Sequence, residues 1–165
     1  GRRVVTVLKG GAGESFAAQF EAGSAALTAR AMAAGGAAGA VATLRTQGYR
    51  TAICTNQPEA LARRVLDELG VAALFDALVG ADTLPSRKPD PAPYLAAVAR
   101  AGGQVARSVL LGDTVTEVQA AQAAGVPCAL VTFGPEGHGI ERLAPQALLH
   151  SYADLPALVH RLLPR

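Results

Sequence analysis

The sequence predicts an α/β fold, a doubly wound parallel sheet. Three observations predict it. From Thr51 onward, short β-branched or aliphatic runs alternate with amphipathic helical segments, the rhythm of a parallel sheet with helices on both faces. Val4-Val5-Thr6-Val7-Leu8 has four β-branched residues in a row, and a run apolar on both faces suits the middle of such a sheet. At 165 residues, 50% hydrophobic and 17% charged, the chain is one domain that can bury a core.

The elements follow in order. Phe16–Ala34 reads as a helix, broken by Gly35-Gly36, and Ala40–Gln47 as a second, closed by Gly48. Arg50–Cys54 is a strand. Pro58–Leu69 is a helix with proline in its first position and Gly70 at its end. After the short strand Ala77–Val79, Asp90-Pro91 opens a helix with Asp90 as cap, and Gly102-Gly103 stops it. Ser108–Leu111 is a strand, Val115–Ala124 a helix closed by Gly125, and Cys128–Thr132 the next strand. Leu148–Leu149 is a short strand, and Asp154 caps a last helix reaching about Leu163.

Composition excludes several classes. No run of about 18 strongly apolar residues occurs, so no membrane partner is expected. Net charge is +2 and scattered, aromatics are 4% and Trp is absent, which argues against nucleic acid. Cys54 and Cys128 lie in apolar runs and read as buried hydrophobes of a reducing compartment, so a cytoplasmic location is expected. The apolar run after Arg2-Arg3 is too short for a signal peptide. Oligomeric state is not readable.

In doubly wound sheets ligands sit beyond the carboxyl ends of the strands, so the residues after each strand carry the chemistry. Thr55-Asn56 lies between strand end and helix start: an anion site, or simple helix capping. Lys88, in Ser86-Arg87-Lys88-Pro89-Asp90-Pro91, is either a point charge aimed at phosphate from a proline-stiffened turn or a solvated lysine in a surface turn. Asp113 ends an apolar strand after Gly112, and Glu117 follows one helical turn on. The pair suits Mg²⁺, which takes one or two carboxylates with waters and phosphate oxygens, or serves as helix cap and first-turn acid. His138 reads as a solvated loop residue and His150 and His160 as surface. Cys54 has no histidine at a convincing position for a nucleophile's base.

Thr55-Asn56, then Arg87-Lys88-Pro89-Asp90-Pro91, then Gly112-Asp113 with Glu117, Ala120-Ala121 and Ala124-Gly125-Val126-Pro127 together resemble the haloacid dehalogenase-like hydrolases, and within them the phosphoglycolate phosphatase group. Val131-Thr132-Phe133-Gly134 and Tyr152-Ala153-Asp154-Leu155 extend the likeness. The resemblance implies one core domain over residues 1–165 with a truncated helical cap, of which 16–36 is the remnant. It implies Mg²⁺-dependent hydrolysis of a small phosphorylated metabolite, through an aspartate that attacks phosphorus and a second aspartate two residues on as general acid and base. By position, Thr55 and Asn56 would bind phosphate, Lys88 would counter charge on phosphate and nucleophile, Asp113 would hold the metal, and Glu117 would stand where the family usually has Asp, as an outer-shell partner.

The family pattern departs at its first motif, Asp-x-Asp-Gly-Thr. Before Glu59 the only acidic residues are Glu14 and Glu21. In one alignment Val7 and Lys9 occupy the two aspartate positions and Gly10 the motif glycine. In the other, the motif lay upstream and residues 1–34 are cap remnant. The first is favoured, because the first-motif strand belongs at the sheet centre between the strands of the Thr55 and Asp113 motifs, where a gap would leave buried edges unpaired. The expected outcome is weak or absent turnover; the alternative is a non-catalytic phosphate-binding pseudoenzyme or a truncated product. The loop Lys9–Ser15 matches neither the P-loop nor the dinucleotide fingerprint.

Overall fold

A computed structural model describes residues 2–7, 36–134 and 136–163. The elements are β1 (Arg2–Val7), α1 (Ala37–Thr46), β2 (Arg50–Cys54), α2 (Glu59–Glu68), β3 (Ala77–Val79), α3 (Ala92–Arg100), β4 (Gly103–Gly112), α4 (Val115–Ala124), β5 (Cys128–Val131), β6 (Ala147–Leu149) and α5 (Leu155–Leu162). The predicted helix Phe16–Ala34, and the cap remnant apart from Gly36, lie outside the described residues.

Among the described residues the strands form one six-stranded sheet in the order β3-β2-β1-β4-β5-β6. Every pairing is parallel. The α/β doubly wound architecture expected from sequence is the one observed. β1 lies between β2 and β4, with Val7 opposite Ile53 on one side and Leu111 on the other. The chain winds outward from β1 to β3 and returns to β4 on the far side of β1. This reversal is the topological switch point where doubly wound folds bind ligands.

The two faces are covered by different helices, as the period-2 alternation of a strand requires. Leu110 packs with Ala52, Cys54, Val79, Cys128 and Leu130 against Tyr94, Ala97 and Val98 of α3 and Val118, Ala120 and Ala121 of α4. Val109 and Leu111 face the other way, with Ala129, Val131 and Leu149, against Ala40 and Leu44 of α1 and Leu155, Leu158 and Val159 of α5.

Boundaries differ in places for local reasons. β4 begins at Gly103, five residues before the expected start at Ser108. Its early part pairs with the start of β1 through a register shift between Arg2 and Val4, a tertiary contact that outweighs the weak strand propensity of Gly103-Gln104. Pro58 is the residue before α2, extended at φ −53°, ψ 139°, and not the first helical residue. α1 starts at Ala37, three residues before Ala40, since alanine extends a helix at least cost.

Candidate functional site

The first component is the end of β2. Thr55 is buried. Its amide donates to the Val79 carbonyl at 2.9 Å, carrying the β2–β3 ladder one residue past β2. Its Oγ1 accepts from the Gln57 amide at 3.1 Å, so the hydroxyl shapes the turn into α2. The first turn of α2 receives a carboxylate from elsewhere: the Glu59 amide donates to Asp82 Oδ1 at 2.7 Å. Gly80 permits this approach, because a Cβ there would lie 2.4 Å from the Glu59 nitrogen. Asn56 Nδ2 donates to the Lys88 carbonyl at 3.1 Å. The amide expected on phosphate therefore ties the β2 end to the lysine turn.

That turn is closed by the Asp90 amide donating to the Arg87 carbonyl at 3.1 Å. Asp90 Oδ1 accepts from the Ala92 amide at 2.8 Å, so Asp90 caps α3 as expected, although Pro91 stands at the boundary. The Lys88-Pro89 peptide bond is cis. Lys88 is 3% exposed, which excludes the solvated surface lysine. Its Nζ donates to Glu117 Oε1 at 2.9 Å.

The third component is the end of β4. Glu117 is fully buried. Its Oε2 accepts from the Thr114 amide at 2.9 Å and from Thr114 Oγ1 at 2.6 Å, while Thr114 Oγ1 accepts from the Thr116 amide at 3.3 Å. This is a capping box at the start of α4. Both oxygens of Glu117 are thus engaged, one by the lysine and one by the helix start. Glu117 needs room to fold back, and Gly112 supplies it: a Cβ there would lie 2.1 Å from Glu117 Cγ. Asp113 is buried at 6% exposure. The backbone of Gly134, after β5, packs against it, since a Cβ on Gly134 would lie 3.0 Å from Asp113 Cβ.

Thr55, Asn56, Lys88, Asp113 and Glu117 thus follow or sit behind strands at one edge of the sheet, flanking β1. The links run from Asn56 to Lys88, from Lys88 to Glu117, and from Glu117 to Thr114, next to Asp113. Sequence reasoning used Tyr152, Phe133 and Gly134 only as marks of resemblance. Burial, then the charge of Asp113, raises the Tyr152 phenol above its ordinary pKa, and the Phe133 ring meets Tyr152 edge-on at 4.9 Å. Phe133 is 46% exposed, so an aromatic pair borders the Asp113 side. The available signal was that Phe133 and Gly134 follow a strand at the same edge.

The cysteines behave as expected of buried hydrophobes. Burial pushes the Cys54 thiol up to about 11 and the Cys128 thiol up to about 12. His138 contacts Glu141 at 2.7 Å on an exposed loop. His150 contacts Thr132 Oγ1 at 3.0 Å and stacks on His138 at 5.7 Å.

Comparison with known proteins gives the family and agrees with the fold. The haloacid dehalogenase-like hydrolase family matches residues 5–125, a span running from β1 through the Asp113 motif. The chain belongs to the haloacid dehalogenase-like hydrolases. Among curated relatives, the phosphoglycolate phosphatase of Cereibacter sphaeroides is 38% identical over 148 residues, covering 90% of this chain and 66% of that protein. That of Caulobacter vibrioides is 40% identical over 113 residues, covering 68% of this chain and 48% of the relative. The chain therefore spans about half to two thirds of the length of these relatives. Among solved structures, a predicted phosphoglycolate phosphatase from Haemophilus somnus superposes with a TM-score of 0.66 at 27% identity, covering 72% of this chain and 53% of that one. CbbY from Rhodobacter sphaeroides, solved with xylulose-(1,5)bisphosphate, gives a TM-score of 0.62 at 26% identity, covering 72% and 53%. Within the haloacid dehalogenase-like hydrolases, the chain falls in the phosphoglycolate phosphatase-like group. Phosphatases of this superfamily in general use Mg²⁺. No helix among the described residues is long and apolar enough to cross a membrane.

Proposed function

We propose that this chain is a phosphomonoester-binding core of the phosphoglycolate phosphatase type, with weak or absent turnover of its own. One observation carries the reading: Thr55, Lys88 and Asp113, from three separate strand-end segments, are each buried at the same sheet edge. A hydroxyl and a buried ammonium at a switch point suit a small phosphorylated metabolite, and 2-phosphoglycolate is the first candidate by likeness to the curated relatives.

The division of labour follows from the contacts. Lys88 carries the positive charge toward phosphate. Glu117 shares that ammonium and holds its direction, serving the lysine in preference to a metal. Asn56 anchors the lysine main chain, and Thr55 offers its hydroxyl at the end of β2. Asp113 is the carboxylate placed for a cation. Weak turnover follows from the first motif. Val7, paired opposite Ile53 and Leu111, stands by alignment where the family places its attacking aspartate, and an aliphatic side chain cannot attack phosphorus. Lys9, at the acid-base position by the same alignment, lies outside the described residues. A non-catalytic phosphate-binding pseudoenzyme is the second reading, favoured by the same missing aspartate.

The test is phosphate release from 2-phosphoglycolate and from an aryl phosphate, with and without Mg²⁺, beside Asp113→Asn. Release at the background rate is expected. Mg²⁺-dependent turnover that Asp113→Asn abolishes would overturn the inactivity. A melting temperature unmoved by millimolar inorganic phosphate would sink phosphate binding itself.

A further inference from the structure

Resting on the phosphate-binding reading above, we infer that Phe133, propped by Tyr152, is a specificity-determining residue, giving the site a preference for phosphomonoesters whose alcohol carries an aromatic group.

Position is the first argument. Gly134 lies against Asp113, since a Cβ on it would stand 3.0 Å from Asp113 Cβ and 3.8 Å from Asp113 Oδ2. Consecutive Cα atoms are about 3.8 Å apart, so the backbone of Phe133 is one step from that carboxylate. Tyr152 is within electrostatic reach of it as well, because burial and then the Asp113 charge raise its phenol. Thr55, Asp113 and Phe133 follow β2, β4 and β5 at the carboxyl edge of the sheet, where ligands of doubly wound folds sit.

Exposure is the second. Among the described residues four large apolar side chains are exposed: Leu61, Leu95, Val115 and Phe133. Leu61 and Leu95 lie within α2 and α3, but Val115, two positions after Asp113, and Phe133 both border the buried carboxylate. Apolar groups scattered singly over a surface need no explanation; two beside one buried acid form a rim. Phe133 is the most exposed of the four.

The third is that the ring is held. Thr132, just before it, donates its amide to the Leu149 carbonyl at 2.9 Å, and Thr132 Oγ1 meets His150 Nδ1 at 3.0 Å. Tyr152 packs against the core around Leu149 and Leu155 and meets the Phe133 ring edge-on at 4.9 Å. It covers part of that ring and leaves nearly half of the residue to solvent. An aromatic already fixed in place loses little freedom when a ligand joins it, and rings prefer offset or edge-on partners. An aryl ester offers such a partner, and a methyl ester does not.

Thermal melting of the chain tests this, with phenyl phosphate and methyl phosphate as the probes in one Mg²⁺-containing buffer. The two differ in the ester group alone. In the parent chain phenyl phosphate should bind about threefold to tenfold tighter, the size of one aromatic pair contact. Phe133→Ala should bring its affinity down to that of methyl phosphate, Phe133→Tyr should keep the preference, and Leu95→Ala should keep it too. Equal affinities in the parent would overturn the inference with no variant needed. A Phe133→Ala chain that keeps the ratio, whether or not both affinities fall, would overturn it as well and reduce Phe133 to a prop of the turn. Equal affinities together with a concentration-dependent dimer that Phe133→Ala dissolves would give the ring to a second copy of the chain. No shift from either ester would instead sink the phosphate-binding reading, and this inference with it.

Discussion

Lys88 Nζ lies 2.9 Å from Glu117 Oε1, and neither side chain has any exposed surface. A pair this deep is costly to assemble and costlier to break, because removing one member leaves a bare charge in a low-dielectric interior. Glu117→Leu should therefore destabilise the chain by about 3–5 kcal/mol. Lys88→Met/Glu117→Leu, which removes both charges, should cost less than Glu117→Leu alone. Urea unfolding of the two variants checks the order; a double variant less stable than the single one would show that the pair stabilises the fold outright.

Gly112 should tolerate no side chain. A methyl group there would meet Glu117 Cγ at 2.1 Å, and Glu117 Cβ at 2.6 Å. Gly112→Ala should cost about 1–3 kcal/mol or more, as overpacking does, and should weaken phosphate binding by displacing the carboxylate from Lys88. Unfolding and phosphate titration read the two effects. A variant with the stability and affinity of the parent would show that Glu117 has another place to go.

Much of this pairing was hidden in the sequence. The helix Val115–Ala124 and the strands Arg50–Cys54 and Ala77–Val79 were legible to the residue, because glycine and capping residues mark local boundaries. The candidate residues were legible as strand-end residues of one edge. Which of them touch was not. Lys88 and Glu117 are 29 positions apart, and Asn56 and Lys88 are 32. Only the sheet order brings them together. Asn56 was legible by resemblance and by its place at a helix start; that its side-chain amide also donates to the Lys88 main-chain carbonyl is something no residue pattern advertises.

Acid should loosen the opposite edge of the sheet. Burial alone would raise the Asp76 carboxyl, but hydrogen bonds from Arg45 and the Thr51 amide, and the Arg50 contact, hold it below its ordinary value. Arg45 lies at 2.6 Å and Arg50 at 3.0 Å. A depressed carboxylate pKa gives stability that is complete above the unfolded-state value, about 4, and is lost as pH falls through the lower folded value. Asp76→Asn should be less stable than the parent at pH 7, by about 1–3 kcal/mol. The gap should narrow as pH falls below about 4. Denaturation at stepped pH measures it, and a gap constant down to pH 2 would refute the assignment.

Both cysteines should be inert in the folded chain. With Cys54 raised to about 11 and Cys128 to about 12 by burial, almost no thiolate exists at pH 8. Iodoacetamide should modify neither until denaturant is added, and mass spectrometry should then find both. Native labelling of Cys54 would mean that the β2 end opens locally.

The place of β1 also dictates the order in which this molecule can assemble. β1, Arg2–Val7, is the earliest described strand in the chain, yet its neighbours are Arg50–Cys54 and Gly103–Gly112. On a ribosome it must wait, with one side unsatisfied, until β4 has emerged about a hundred residues later. Its pairing with β4 closes a loop of about a hundred residues, the kind of long-range contact that slows folding. Until that loop closes, β2-β3 and β4-β5-β6 are separate ribbons, and the proposed phosphate site, whose residues come from both, does not exist. Binding competence should therefore appear late in refolding, with the final sheet closure and not with helix formation.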